Sequence, residues 1–83
     1  METTETITTS GIVIPVAWNE KGDVISVAIA TYNEGKYLVE NNVKGQQLFS
    51  LLRKRVVIDG VLVTRDKIKA IEINNFREDI SEV

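Results

Sequence analysis

Residues Lys44–Val63 read KGQQLFSLLRKRVVIDGVLV, and the order of elements inside this stretch decides the fold. Leu48, Leu51 and Leu52 recur at spacings of three and four, which gives one apolar face to a helix predicted over Val43–Lys54. Asn41 or Asn42 supplies an N-cap side chain able to accept from a first-turn N–H. Arg53, Lys54 and Arg55 place cations at the other end, where the helix macrodipole is negative. The strand that follows, Val56–Val63, contains Gly60, and a glycine in mid-strand marks a bulge or a sharp bend.

Working outward, the residues before the helix alternate rather than recur at helical spacing. Ile12–Trp18 (IVIPVAW) and Val24–Tyr32 (VISVAIATY) read as strands joined by Asn19-Glu20-Lys21-Gly22-Asp23, with Gly22 where a hairpin needs positive φ. Asn33-Glu34-Gly35-Lys36 turns the chain again into a third strand, Tyr37–Glu40. Pro15 lacks an N–H and suits an edge, a strand end or a bulge. After Val63, the turn Thr64-Arg65-Asp66-Lys67 leads to a fifth strand over Ile68–Asn75. The Thr-rich residues 1–10 are expected to form a frayed arm that joins the first strand near Ile7. Residues 77–83 are expected to form an acidic tail, which leaves one domain over 11–76.

The composition agrees with this order. The 83 residues include 11 Val, 10 Ile and 7 Thr against four Ala, a bias toward strands. A chain this short buries only about 60 to 65% of its unfolded surface, and with no Cys and no His it has neither disulfide nor zinc to staple it. Stability must come from apolar packing, or from self-association. No run approaches the ~20 apolar residues of a spanning helix, and no signal peptide is visible, so the default expectation is a cytoplasmic protein without membrane contact.

Three strands, a helix and two strands (β-β-β-α-β-β) define an all-β class with one helix. On that order and on KGQQLFSLLRKRVVIDGVLV, the chain resembles the OB superfamily over residues 7 to 76, and in particular small single-domain OB-like proteins of bacteria. The resemblance implies a five-stranded antiparallel Greek-key barrel whose ligand surface is the strand 2–3 face with the strand 4–5 loop. OB proteins bind single-stranded nucleic acid, oligosaccharide or other proteins, so the resemblance by itself selects no ligand.

Catalysis has little to work with. Without His or Cys the common general bases, thiol nucleophiles and soft metal ligands are missing, and neither a calcium-loop spacing nor a phosphate-cradling glycine loop is present. The expectation is a non-enzymatic binding module with no cofactor and no metal. Charge is segregated. Residues 44 to 69 sum to +5, residues 1 to 43 to −4 and residues 70 to 83 to −3, giving −2 overall. Arg65 and Lys67 in the strand 4–5 turn, with Lys36 in the second turn, are candidate contacts for an anion, and Tyr32 and Tyr37 are candidate stacking rings. The two tyrosines share a face if their turn has two or four residues, and lie on opposite faces if it has three with a bulge. Phe49 and Phe76 read as core, and Trp18 as the cover of one end.

The small side chains Val13, Pro15, Ala17, Ser26, Ala28 and Ala30 either admit a partner sheet or accommodate curvature. With net acidity and few aromatics, the leading expectation is a protein partner or a homodimer. Single-stranded nucleic acid, or a small polyanion, is the alternative occupant of Tyr32, Lys36, Tyr37, Arg65 and Lys67.

Overall fold

A computed structural model describes residues 3–32 and 35–79, and the β-branched bias emerges in it as five strands. They are β1 (Thr3–Trp18), β2 (Val24–Ala30), β3 (Lys36–Val39), β4 (Arg55–Arg65) and β5 (Ile68–Glu78), with one short helix, α1 (Val43–Gln47), between β3 and β4.

The expectation of a frayed arm is corrected for residues 3–10. Every residue from Thr3 to Ile12 pairs with β4, running from Thr3 opposite Thr64 to Ile12 opposite Arg55. Threonine is β-branched and fits a pleated, half-exposed position, and without this segment β4 would present a long bare edge. β1 then changes partner. From Ile12 to Trp18 it pairs with β2, and Gly11 stands at the switch. A Cβ there would collide with the Ala30 carbonyl oxygen and the Ile29 side chain, so the bend demands glycine. Pro15 sits beyond the β4 ladder and next to a bulge, since Pro15 faces Val27 and Ala17 faces Ser26, leaving Val16 as the extra residue. A second bulge at Ile25 follows on the opposite strand. After these two shifts Trp18 is 55% exposed and covers no end of the core, contrary to the sequence reading.

β4 and β5 form a hairpin closed by Arg65 opposite Ile68, so its turn is the two residues Asp66 and Lys67, both with left-handed backbone (φ 50° and 72°). The bulge expected near Gly60 is present. Asp59 faces Asn75 and Gly60 faces Ile73, which leaves Asn74 unpaired on β5. Gly60 itself meets the Glu72 carbonyl oxygen, where a Cβ would not fit. β5 runs on to Glu78, so residues 77 and 78 of the expected tail belong to the sheet, and the Asp79 N–H donates to the Arg55 carbonyl at 2.8 Å. Residues 80–83 of that tail, and Asn33 and Glu34 of the second turn, lie outside the described residues.

The pairings run in a closed circuit, β1-β2-β3-β5-β4 and back to β1. The expectation of an entirely antiparallel sheet is corrected: β3 and β5 are parallel, with Leu38 beside Ala70 and Val39 beside Ile71. The reason is parity: strands that alternate direction cannot close a ring of odd number, so five strands require one parallel seam. The circuit is also staggered. Following partners from Ile14 through Ala28, Leu38, Ala70 and Val63 returns to β1 at Thr4, ten residues from the start. That is about two residues, or ~6.6 Å, of slip for each ~4.8 Å strand spacing, so the strands are tilted by more than ~45°. A row of paired residues therefore runs more along the axis of the closed sheet than around it, and side chains from four strands can share one side of the molecule.

Val13, Val27, Ile29, Tyr37, Leu48, Val56, Ile58, Leu62, Ile71 and Ile73 form the core inside this circuit. The helix is shorter than the predicted Val43–Lys54. After Gln47 the chain tightens into a 3₁₀ turn over Leu48–Leu51, and Arg53 turns left-handed at φ 68°. This delivers Leu48 to the core, and Phe49, Leu51 and Leu52 pack against it. Arg55 accordingly starts β4 instead of ending the helix. Asn42 is the N-cap: its Oδ1 accepts from the Gly45 N–H at 2.7 Å and its Nδ2 donates to the Ile73 carbonyl at 3.3 Å, fixing the helix to β5. Among the described residues, no helix is long and apolar enough to cross a membrane.

Candidate interaction surface

Strand alternation dictates that residues flanking a core position face outward. In β2, Val27 and Ile29 belong to the core, so Ala28 between them points out, yet Ala28 is buried and lies outside the core cluster. Val63 on β4 behaves in the same way. Register links the two: Ile14 pairs with Ala28, Ala28 with Leu38, Leu38 with Ala70 and Ala70 with Val63. The outward side therefore carries an apolar row across all five strands, with Ala28 and Val63 buried and Ile14, Leu38 and Ala70 half-buried, where a solvent-facing side ordinarily alternates to polar side chains.

One step along the strands lies a second outward row. Arg55 pairs with Ile12, Ile12 with Ala30 and Ala30 with Lys36. The β3–β5 register, continued two residues back from Leu38 and Ala70, brings Lys36 beside Ile68, which pairs with Arg65. Ile12 and Ile68 are exposed, the latter to 58%.

Two shallow clefts mark the ends of this row. One, of about 230 Å³, is lined by Gly11, Ile12, Ala30, Thr31, Tyr32 and Arg55. The other, of about 250 Å³, is lined by Val63, Arg65, Asp66, Ile68 and Ala70. Each is smaller than the roughly 300 to 1,000 Å³ of a typical small-molecule site, and each has an arginine among mainly apolar lining residues, with Asp66 beside Arg65 in the second. In the first cleft, Arg55 Nη2 donates to the Tyr32 hydroxyl at 2.7 Å, and the guanidinium carbon lies 5.5 Å from the ring centroid.

The sequence-predicted residues divide. Tyr32 is 77% exposed, and Lys36, Arg65 and Lys67 are exposed along the same row and its turn. Tyr37 is 1% exposed and faces the core opposite Ile29, so the two-ring stacking platform is corrected to a single ring. The pair that closes this hairpin is Ala30 with Lys36, which leaves a five-residue loop over 31–35. Both closing residues face out, so Tyr37, one position further, faces in. Lys69 stands 6.0 Å from the Tyr37 ring centroid, on the inward side of the same edge.

Sequence reasoning assigned Arg55 to the helix end and missed its place on the wall. The available signal was the alternation of RVVI, where Val56 and Ile58 claim the interior and leave Arg55 outside. A third depression, between β2 and α1 and lined by Ile25, Ser26, Glu40, Gln46 and Phe49 among others, encloses about 30 Å³, room for water but not for a ligand. Among the described residues, no three His, Cys, Asp or Glu side chains are grouped to hold a metal ion. Compared with family models, curated proteins and solved structures, the chain matches none.

Proposed function

We propose that the chain is a non-enzymatic interaction module, an OB-like barrel that binds another polypeptide on its outer wall. The OB-like assignment is supported by the closed circuit of five strands and by the helix between β3 and β4. The functional reading rests on one observation: exposed Ile12, Ile68 and Tyr32 stand with exposed Arg55, Lys36 and Arg65 beside an outward row, Ile14, Ala28, Leu38, Ala70 and Val63, that is apolar on every strand and buried or half-buried. Apolar surface edged by tyrosine and arginine is the composition of a protein-binding surface, in which aromatic and arginine anchors carry most of the energy. A single-stranded nucleic-acid reading retains four cations on or beside the wall but loses its second ring, because Tyr37 is in the core.

The test is an amide-resolved NMR titration with two probe pools, mixed short peptides and mixed short single-stranded DNA and RNA, each at low and at physiological salt. Saturable shifts at Ile12, Ala30, Lys36, Leu38, Arg65, Ile68 and Ala70 with peptides at physiological salt support the reading. Shifts with the nucleic acids alone overturn it, as does a wall unmoved by either pool.

A further inference from the structure

We infer that the segment this wall accepts is extended and acidic, with two apolar side chains four residues apart and a carboxylate midway between them; the inference rests on the interaction-module reading. The spacing comes from the two clefts. One lies between β1 and β2 and the other between β5 and β4, so three strand spacings, about 14 Å, separate them along the row. An extended chain advances about 3.3 Å per residue, so four residues span about 13 Å, and an even number keeps both side chains on one face. An apolar residue at position i enters the cleft of Ile12 and Tyr32 while that at i+4 enters the cleft of Ile68 and Val63. A helical segment covers only about 6 Å in four residues and would need anchors about seven to eleven residues apart to reach both clefts, so the four-residue spacing is specific to an extended chain.

Charge fixes the rest of the pattern. Position i+2 faces the same way as i and i+4 and falls over Lys36, between the clefts. Positions i−2 and i+6 extend past them toward Arg55 and Arg65, with Lys67 in the adjoining turn. All four cations are exposed, and Asp66 is the carboxylate within that turn. Beyond the apolar row the sign reverses: Glu40 follows Val39 and Glu72 follows Ile71, and since Val39 and Ile71 pair, these two carboxylates stand side by side on neighbouring strands. An acidic segment is therefore attracted to the row of Arg55, Lys36 and Arg65 and repelled from the next. This gives one track along the wall, because opposed charge selects and like charge excludes.

The experiment uses the full chain and a fluorescently labelled, end-capped nonapeptide Asp-Thr-Leu-Thr-Asp-Thr-Leu-Thr-Asp. Two controls accompany it, one of identical composition with its leucines three residues apart and one with Lys in place of Asp. The expected result is saturable anisotropy at physiological salt for the first peptide, with each control at least about tenfold weaker. Arg65→Glu and Ile68→Ser, both on exposed side chains, should each weaken it by a similar factor while the circular dichroism spectrum is unchanged. Equal binding of the two leucine spacings, or binding indifferent to Arg65→Glu, overturns the inference. If members of the mixed peptide pool shift the wall amides and this nonapeptide does not, the inference fails while the interaction reading stands. If no polypeptide shifts them, both fail. A concentration-dependent dimer that buries these same amides and excludes the peptide also overturns it, with a second copy as the occupant.

Discussion

The Arg55 guanidinium donates to the Tyr32 hydroxyl at 2.7 Å and rests against the same ring, 23 residues away in sequence. Both side chains are exposed, so the pair orders the rim of a cleft more than it holds the fold. A cation–π contact at the surface is worth about 0.5 to 1 kcal/mol. Tyr32→Phe and Arg55→Ala should each change unfolding free energy by no more than ~1 kcal/mol, measured by urea denaturation. A loss of several kcal/mol in either would show that this rim is structural.

Gly11→Ala and Gly60→Ala introduce a Cβ against the carbonyl oxygens of Ala30 and Glu72, on strands that cannot retreat without breaking the circuit. Overpacking of this kind costs about 1 to 3 kcal/mol. Gly22→Ala is the contrast: its φ of 88° is unfavourable for alanine, but no atom lies within 4 Å of the new Cβ. Thermal melts should therefore show larger losses at positions 11 and 60 than at 22.

The β4–β5 turn places Asp66 and Lys67 in left-handed conformation, as a two-residue hairpin of the primed type demands, and glycine is the favoured residue at its second position. Lys67→Gly should stabilise the fold by about 1 kcal/mol. The same change removes a cation beside the wall, so stability and affinity for an acidic peptide should move in opposite directions. Loss of stability in the variant would show that the lysine side chain carries a structural contact that outweighs its backbone cost.

Asn42→Ala deletes the cap of α1 and the bond to Ile73 together. A helix of five residues has little intrinsic stability, so the loss should reach about 1 to 2 kcal/mol. In NMR spectra the shift changes should spread from Gly45 into the middle of β5. Changes confined to the helix would show that the Ile73 bond couples nothing.

Hydrogen exchange should find the weakest seam at β3. That strand pairs with β5 at Leu38–Ala70 and Val39–Ile71, whereas β4 is paired with β1 from Arg55 to Thr64 and with β5 from Val56 to Arg65. Amides of β3 should exchange well ahead of those in the middle of β4. Equal protection would mean that the circuit opens only by global unfolding.

Local chemistry was readable along the chain. Gly22 and Gly35 mark turns because positive φ is a property of a single residue, and both adopt it. Asn42 caps because its side chain reaches three residues ahead. The Gly60 bulge, the five strands and the order β-β-β-α-β-β follow from alternation and breakers of the same short range. What required the tertiary structure depends on partners far away in sequence. Thr3–Ser10 becomes strand because β4 offers it an edge. The parallel β3–β5 seam follows from closing an odd number of strands, which no local pattern encodes. Tyr37 goes inward and Tyr32 outward because the hairpin closes at Ala30 and Lys36. Arg55 joins Tyr32, and Lys36 meets the row of Arg65, only through the stagger of the circuit. Spacing along the chain sets which way each side chain points relative to its neighbours, but register between strands decides which side chains share a wall.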